Sequence, residues 1–348
     1  MLENVRVDGL PPFKEISISL SAEEAVRTAT VDLVPVGDGV SVVPDQEVKI
    51  WAGDDLLLTG YIRDVEPSHD SESRTLSVSI VSRTVDAVEC SADHPTGEIM
   101  NKSLADIARE LDDGGIGIED DGSLPIEPRH KLRVGDSLFH SVEKRARGRG
   151  VLIHDTPKGK LKLATKPEGT HSGGLIFGVN ILTASSRLTG RGRYSDIRVR
   201  GQSTEGTGKQ QLRAEARAKD KSVSRRRLLI VRHEGETTTD RMKGRSRWHV
   251  KRGAGNGTTA SITVPGWRDT AGKIWDRNWL VPVKDDWIGI DGIMLIKSVK
   301  LDQNGEGGGT TATLELADPR ALGGENPRGK SAKAYSAPLA NDVEFEEQ

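Results

Sequence analysis

The chain of 348 residues is long enough for two to four domains, and its 39 glycines predict many turns. Its one cysteine, Cys90, excludes an intrachain disulfide, and no apolar run approaches the roughly 18 residues of a membrane-spanning helix. The N-terminus lacks the basic start and apolar run of a signal peptide. We therefore expect a protein that is made in a cytoplasm and has no membrane partner.

The net charge of −2 conceals an uneven distribution. Residues 187–252 contain 20 Lys or Arg and 7 Asp or Glu, a local balance of +13, which leaves −15 on the rest of the chain. Such a split favours contacts between oppositely charged subunits or partners. A nucleic-acid contact would give the same pattern, and so would solvated faces joined by a mobile linker.

The first ninety residues alternate between apolar and polar side chains, as strands with one buried face do. The clearest strand segments are residues 13–20, 29–34, 47–51, 56–65 and 75–81. Polar turns separate them, including Gly53-Asp54-Asp55. Short strands with polar turns predict an antiparallel sheet or barrel.

The apolar period then becomes helical. Ser103 is a good N-cap residue, and the residues after it that share one helical face are Leu104, Ile107, Ala108 and Leu111. A second helix begins at Asp136, and a hairpin covers residues 151–163. These elements predict a small α+β insertion.

The strand pattern returns at residue 176, and a basic helix is predicted over 238–252. We predict a chain that is mainly β with an α+β insertion and has two similar antiparallel β-barrel domains. The predicted parts are a first β-barrel (1–97 plus 176–205), the inserted domain (98–175), a linker (206–222), a second β-barrel (223–320) and a flexible C-terminal tail (321–348).

A faint internal repeat supports two barrels. Residues 48–83 and 281–318 each contain a strand, an acidic turn, an apolar strand, a polar hairpin and a strand. Their identity is low, so similarity by chance stays an alternative.

Known catalytic motifs are absent from the sequence. The run Gly206–Lys209 lacks the first glycine of a P-loop and the hydroxyl residue after the lysine, and no H-E-x-x-H or C-x-x-C occurs. His94 lies four residues after Cys90, which allows a thiol–imidazole pair, although a structural cysteine explains the position as well. We expect no enzyme, no catalytic residue, no cofactor and no metal site.

Residues 261–318 contain, in order, V-P-G-W-R-D, G-K-I-W, N-W-L-V-P-V-K-D-D-W-I-G-I and M-L-I-K-S-V, then a glycine-rich turn and T-x-L-E-L. This series resembles the C-terminal barrel of the phage Mu-like baseplate hub proteins, a family that includes late-control proteins. Upstream, V-S-R-T-V-D-A-V-E-C-S-A and K-D-K-S-V-S-R-R-R-L-L-I-V resemble the exit from the first barrel of that family and the entry to its second. The likeness covers most of residues 1–320.

The resemblance implies a structural hub subunit of a contractile phage tail, located in the virion at the baseplate. Three subunits with two barrels each would form a pseudo-sixfold ring between the hexameric tail tube and the central spike. The implied partners are two further copies of the chain in a homotrimer, the spike, and the tube or other baseplate proteins. Nucleic acid would meet the ring only as a genome passing through its channel.

The charge split predicts that a basic helix meets acidic turns at a subunit interface. The candidate interface residues are Arg241, Lys243, Arg245, Arg247, Trp248, Lys251, Arg252, Asp54, Asp55, Asp285 and Asp286. The tryptophans at 267, 275, 279 and 287 are either core anchors of the second barrel or interface residues.

Two alternative functions stay open at this point. A tail-associated cell-wall hydrolase would need a carboxylate pair, for which the 98–175 insertion is the compact candidate. A nucleic-acid-binding module would use the basic 187–252 segment, although most of that segment lacks the aromatic residues on which bases stack.

Overall fold

The computed structural model describes residues 2–37, 39–122, 124–147, 150–201, 215–232, 239–305 and 307–322. The N-terminal part forms six strands: β1 (Val5–Asp8), β2 (Phe13–Ser21), β3 (Thr28–Leu33), β4 (Glu47–Ala52), β5 (Asp55–His69) and β6 (Arg74–Ser82). Their apolar residues alternate inward, as Ile16, Ile18 and Leu20 of β2 do, because successive side chains of a strand point to opposite faces.

A mixed α+β segment follows. Its elements are α1 (Val85–Glu89), β7 (Glu98–Ser103), α2 (Leu104–Glu110), β8 (Ile118–Asp120), β9 (Ile126–Lys131), α3 (Leu138–Arg147), β10 (Leu152–Asp155) and β11 (Leu161–Ala164). The Ser103 hydroxyl accepts the Asp106 N–H at 3.2 Å, so it caps α2 as the sequence predicts. The buried face of α2 packs into a core that includes Val142 and Leu161 and is separate from that of the main sheet.

The chain then forms a small β-sheet covered by one helix. The first two strands of this region, β12 (Leu175–Ile176) and β13 (Thr183–Leu188), belong to the main sheet. The small sheet and its helix consist of β14 (Asp196–Arg200), β15 (Glu215–Lys219), β16 (Leu228–Arg232) and α4 (Thr239–Gly255). β14 pairs antiparallel with β15 and parallel with β16, and Met242 and Val250 of α4 pack on this sheet.

β15 lies within the predicted linker 206–222, of which residues 206–214 are outside the described ranges. The segment E-A-R-A-K alternates like a strand, with Ala216 and Ala218 buried. Its charged residues hide this pattern, because the buried face of the strand consists only of small alanines.

The last strands are β17 (Thr258–Pro265), β18 (Leu280–Asp285), β19 (Ile290–Asn304) and β20 (Gly309–Ala317), followed by a 3-10 helix at Pro319–Leu322. They complete a twelve-stranded sheet, so the prediction of a mainly β protein with an α+β insertion is confirmed. The described strands pair along an open path from β1 to β13.

The sheet consists of two similar halves. The first half has the order β1-β4-β5-β6-β3-β2, the second has the order β12-β18-β19-β20-β17-β13, and β2 joins them by pairing with β19. β4, β5 and β6 contain 6, 15 and 9 residues, and so do β18, β19 and β20. The long strand of each half has a bulge, between Ile62 and Asp64 in β5 and between Ile296 and Ser298 in β19. The faint sequence repeat therefore corresponds to a structural duplication.

The pairing places residues 175–188 beside the C-terminal strands, because β12 pairs with β18 and β13 pairs with β17. The two halves share one apolar core, in which Ile62 and Ile80 lie with Ile296 and Leu316. The domain boundaries given above stay a prediction.

Candidate assembly interface

The contact between β2 and the outer half of β19 is here called the internal seam. It pairs Glu15–Ser21 antiparallel with Ser298–Asn304, and Leu20 lies opposite Val299. Main-chain hydrogen bonds extend it at both ends, from Ala22 N–H to the Lys297 carbonyl at 2.7 Å and from Gly305 N–H to the Lys14 carbonyl at 2.9 Å.

Charged side chains flank the internal seam. The Glu23 carboxylate forms ion pairs with Lys297 at 2.7 Å and with Arg252 at 2.8 Å. Burial alone would raise the pKa of Glu23, but the hydrogen bonds and charges of Lys297 and Arg252 bring this pKa below its usual value. Arg252, a predicted interface residue, therefore connects parts of one chain.

The other basic candidates follow α4. Arg252 stacks over Trp248, with its guanidinium carbon 5.1 Å from the ring centre. Lys243, Arg245 and Lys251 are half-buried and Arg247 is exposed, whereas the side chain of Arg241 lies outside the described part.

The acidic turns differ from one another. Asp54 and Asp286 are exposed, and Asp55 forms an ion pair with Arg268 at 2.6 Å. Asp285 is buried and accepts the Trp287 N–H at 3.0 Å and the Ile288 N–H at 3.3 Å. The Asp285 carboxylate therefore stabilises its own turn, as aspartate often does.

The four C-terminal tryptophans divide between core and surface. Trp267 and Trp275 are buried, and Trp279 packs partly buried against the same core. Trp287 is 90% exposed at the turn between β18 and β19. This turn lies beside β13, because the Ser186 hydroxyl donates to the Ile288 carbonyl at 2.7 Å. An exposed tryptophan next to a strand edge that has no partner among the described residues is typical of a contact surface.

A buried charge cluster attaches the α+β insertion to the sheet. Asp155 at the end of β10 lies between Arg27 at 3.2 Å and Arg277 at 2.8 Å, and all three are at least 97% buried. Arg277 also pairs with Asp276 at 2.6 Å. Sequence reasoning missed this cluster, because its members are far apart in the chain and no local pattern marks them.

Two carboxylates of α2 in the insertion are engaged in ion pairs. Around the surface depression at the start of α2, Asp106 pairs with Arg109 at 2.8 Å and Glu110 pairs with Lys102. The hydrogen bond from Ser103 lowers the pKa of Asp106, and the hydrogen bond from Lys102 lowers that of Glu110. A glycosidase acid requires a raised pKa, so neither group is poised for that role.

The structure shows no hydrogen bond between the described residues Cys90 and His94, the thiol–imidazole pair that the sequence allowed. His94 Nε2 is 3.0 Å from Glu110, while Cys90 is exposed at the end of α1. Across the described ranges, no group of three or more His, Cys, Asp or Glu side chains is arranged to hold a metal ion. None of the helices in those ranges is long and apolar enough to cross a membrane.

The outer face of the β14–β15–β16 sheet carries much of the basic segment. Arg198 lies opposite Arg217, on the face away from α4. Glu215 on the same face pairs with Arg217 at 2.5 Å and with Arg200 at 2.7 Å, so part of the positive charge is neutralised within the sheet. Among the described surfaces, this face is the one that a nucleic acid would contact if the protein were a nucleic-acid-binding module.

Comparisons with known proteins agree with this architecture. The family model "Mu phage baseplate assembly protein GpP, fourth domain" matches residues 238–325, and "Baseplate hub protein gp44-like, second domain" matches residues 84–165. The baseplate hub protein gp44 of Escherichia phage Mu is 24% identical over 295 residues, covering 80% of this chain and 78% of that protein.

Two solved structures have the same fold over nearly the whole described chain. The 43 kDa tail protein of prophage MuSo2 from Shewanella oneidensis has a TM-score of 0.79 and 27% identity, covering 91% of this chain and 98% of that chain. The tail protein from Neisseria meningitidis MC58 has a TM-score of 0.76 and 18% identity, covering 92% of this chain and 98% of that chain.

The fold and these matches define a phage tail baseplate protein, which is a component of the virion. Within that class, residues 84–165 and 238–325 match domains of Mu-like baseplate hub proteins, and the chain is similar to the hub protein gp44 of phage Mu. The resemblance noted in residues 261–318 is thereby confirmed, since these residues lie inside a matched domain.

Proposed function

We propose that this hub protein is a ring subunit, three copies of which form a pseudo-sixfold ring that joins the hexameric tail tube to the central spike. The observation that carries the proposal is the duplicated half-sheet, with equal strand lengths and a bulge at the same place in each long strand. Three chains supply six similar half-sheets, which matches the symmetry of a sixfold tube.

The role we propose is structural and involves no catalysis. In its support, Asp106 and Glu110 are ion-paired with lowered pKa values, and Asp155 is held between two arginines. Such groups position backbone and subdomains rather than exchange protons with a substrate.

We also propose contact surfaces for partners. The candidates for meeting a neighbouring subunit, the spike or the tube are the exposed side chains of Asp54, Asp286 and Arg247 and the half-buried side chain of Arg245. Electrostatic complementarity of this kind sets orientation and association rate more than affinity.

Electron microscopy of the purified chain tests the ring. We expect particles with threefold symmetry and six similar lobes around a central opening. Particles of single-chain size at micromolar concentration, or rings of six chains, would contradict the proposal. The variant Arg245→Glu with Arg247→Glu serves as a second measurement: if these side chains meet acidic groups at the interface, the variant ring should assemble more weakly, and added salt should weaken it less than it weakens the native ring.

A further inference from the structure

The internal seam has two exposed counterparts in the same chain. In the duplicated halves, β13 corresponds to β2, and the outer half of β5 corresponds to the outer half of β19. Within the described ranges, β13 pairs only with β17, and residues 64–69 of β5 pair only with β6. Each of these segments therefore has one free edge, where its counterpart in the seam has a partner.

The rows of paired residues fix which positions correspond. One row crosses the first half through Ile62, Ile80, Ala29 and Ile18, and its equivalent crosses the second half through Ile296, Leu316, Ala260 and Ser186. Both rows start at the bulge, so Ser186 is the equivalent of Ile18. Two residues further along, Leu188 is then the equivalent of Leu20.

The same rows align the long strands. Asp64 and Ser298 are the first paired residues after the two bulges, so Val65 is the equivalent of Val299 and Glu66 is the equivalent of Lys300. In the internal seam Leu20 lies opposite Val299 and Ser19 lies opposite Lys300.

We propose that β13 of one copy pairs antiparallel with the outer half of β5 in the next copy, with Leu188 opposite Val65 and Arg187 opposite Glu66. This contact rests on the proposed ring and specifies how it closes. The first pair repeats the leucine–valine pair of the internal seam, and the second joins opposite charges, which favours cross-strand pairing. The contact is head-to-tail, so three copies alternate three internal seams with three intermolecular ones.

The exposure of these side chains agrees with the assignment. Leu20 and Val299 are 4% and 2% exposed in the internal seam, whereas Leu188 is 57% exposed in the isolated chain. Pro67 would lie opposite Ser186 and removes one N–H donor from the free edge of β5. Proline is tolerated on such edge strands, and the intermolecular seam would have one main-chain hydrogen bond fewer than the internal seam at this position.

The geometry of the internal seam indicates which pair of cysteines would cross-link two neighbouring copies. At the two ends of the seam, Lys297 and Gly305 direct their main-chain groups toward β2. Because these groups alternate in direction along a strand, Lys300 directs its own away from β2, so Lys300 and Ser19 form a pair without mutual hydrogen bonds. Such pairs have Cα atoms about 4.5 Å apart, which suits a disulfide. We expect the variant Glu66→Cys with Arg187→Cys, in a Cys90→Ser background, to form covalent dimers and trimers on mild oxidation.

The matched control is Val65→Cys with Arg187→Cys in the same background. Its two cysteines would lie on opposite faces of the paired strands, so we expect monomers on a denaturing gel. As a second measurement, Glu66→Arg should weaken trimer formation about tenfold, and adding Arg187→Glu should restore it. A native trimer that neither cross-links at 66 and 187 nor responds to the charge exchange would overturn this seam and leave the ring intact. A chain that stays monomeric in all variants would overturn both proposals.

Discussion

Asp45 and Asn278 occupy the same place in the two halves of the sheet. Both have left-handed backbones, with φ of 65° and 58°. Asp45 N–H donates to the Ile62 carbonyl and Asn278 N–H donates to the Ile296 carbonyl, each at 2.8 Å and each at a bulge. Aspartate and asparagine tolerate this conformation better than most residues. The duplication therefore extends to single backbone angles.

The left-handed backbone at Asp45 and Asn278 predicts that both positions tolerate glycine better than alanine. Asp45→Ala should lower the free energy of unfolding by about 1 kcal/mol, because alanine adopts positive φ less readily than aspartate. Asn278→Ala should lower it by more, since buried Asn278 also donates a hydrogen bond to the Lys166 carbonyl at 3.0 Å. Asp45→Gly and Asn278→Gly should cost less, since glycine adopts this region readily. Urea unfolding of the four variants checks the result, and equal losses for alanine and glycine would contradict it.

Substitutions of a buried and of an exposed tryptophan should affect different properties, namely folding stability and subunit association. Trp267→Ala should lower the free energy of unfolding by about 3–5 kcal/mol, because Trp267 is fully buried in the sheet core. Trp287→Ala should change it by less than about 0.5 kcal/mol, since this side chain is 90% exposed. Sedimentation should nevertheless detect weaker association of the Trp287→Ala chain. A large loss of stability in that variant would contradict the surface assignment.

The buried charge cluster predicts strong dependence on Asp155. Asp155→Ala leaves Arg27 and Arg277 buried without this carboxylate and should lower the free energy of unfolding by about 3–5 kcal/mol. The control is Glu89→Ala, which breaks the exposed pair with Arg63 and should cost less than about 1 kcal/mol. Similar losses in the two variants would show that the cluster does not fix the insertion.

Acid should destabilise the protein partly through His154. Burial, and then the charge of Arg277, lower the pKa of His154 to about 3 from 6.5 in the unfolded chain. Between these values the unfolded chain binds the proton first, so the free energy of unfolding falls as pH decreases, by up to about 1.4 kcal/mol per unit. Above pH 6.5 His154 contributes no pH dependence.

Urea unfolding at pH 7 and pH 5 measures this effect. His154→Gln should reduce the loss between the two values, while the exposed control His69→Gln should leave it unchanged. His130 and His249, whose pKa values burial lowers to about 4, and His171, whose pKa burial also lowers, should contribute to the remaining slope. An unchanged loss in His154→Gln would contradict the account.

Much of the architecture could be predicted from the sequence, because alternation such as that of β2 reports burial directly. The repeat was visible for the same reason: two long apolar strands, each followed by a polar hairpin, leave a pattern even at low identity. β15 was missed, since two buried alanines flanked by charges resemble a linker.

Interface residues are harder to infer from a sequence than the fold is. Charge alone suggested Arg252 and Asp285, but the structure places the first in an ion pair at the internal seam and the second inside its own turn. The free edges of β5 and β13 depend on which strand lies beside which, and this pairing is set by contacts between residues far apart in the chain.

The mass of the chain in solution tests the central claim most directly. Sedimentation equilibrium from about 1 to 100 µM should give a species near 113 kDa, three times the chain mass of 37.7 kDa. A single species of 37.7 kDa over this whole range would contradict a self-assembling ring of three duplicated chains.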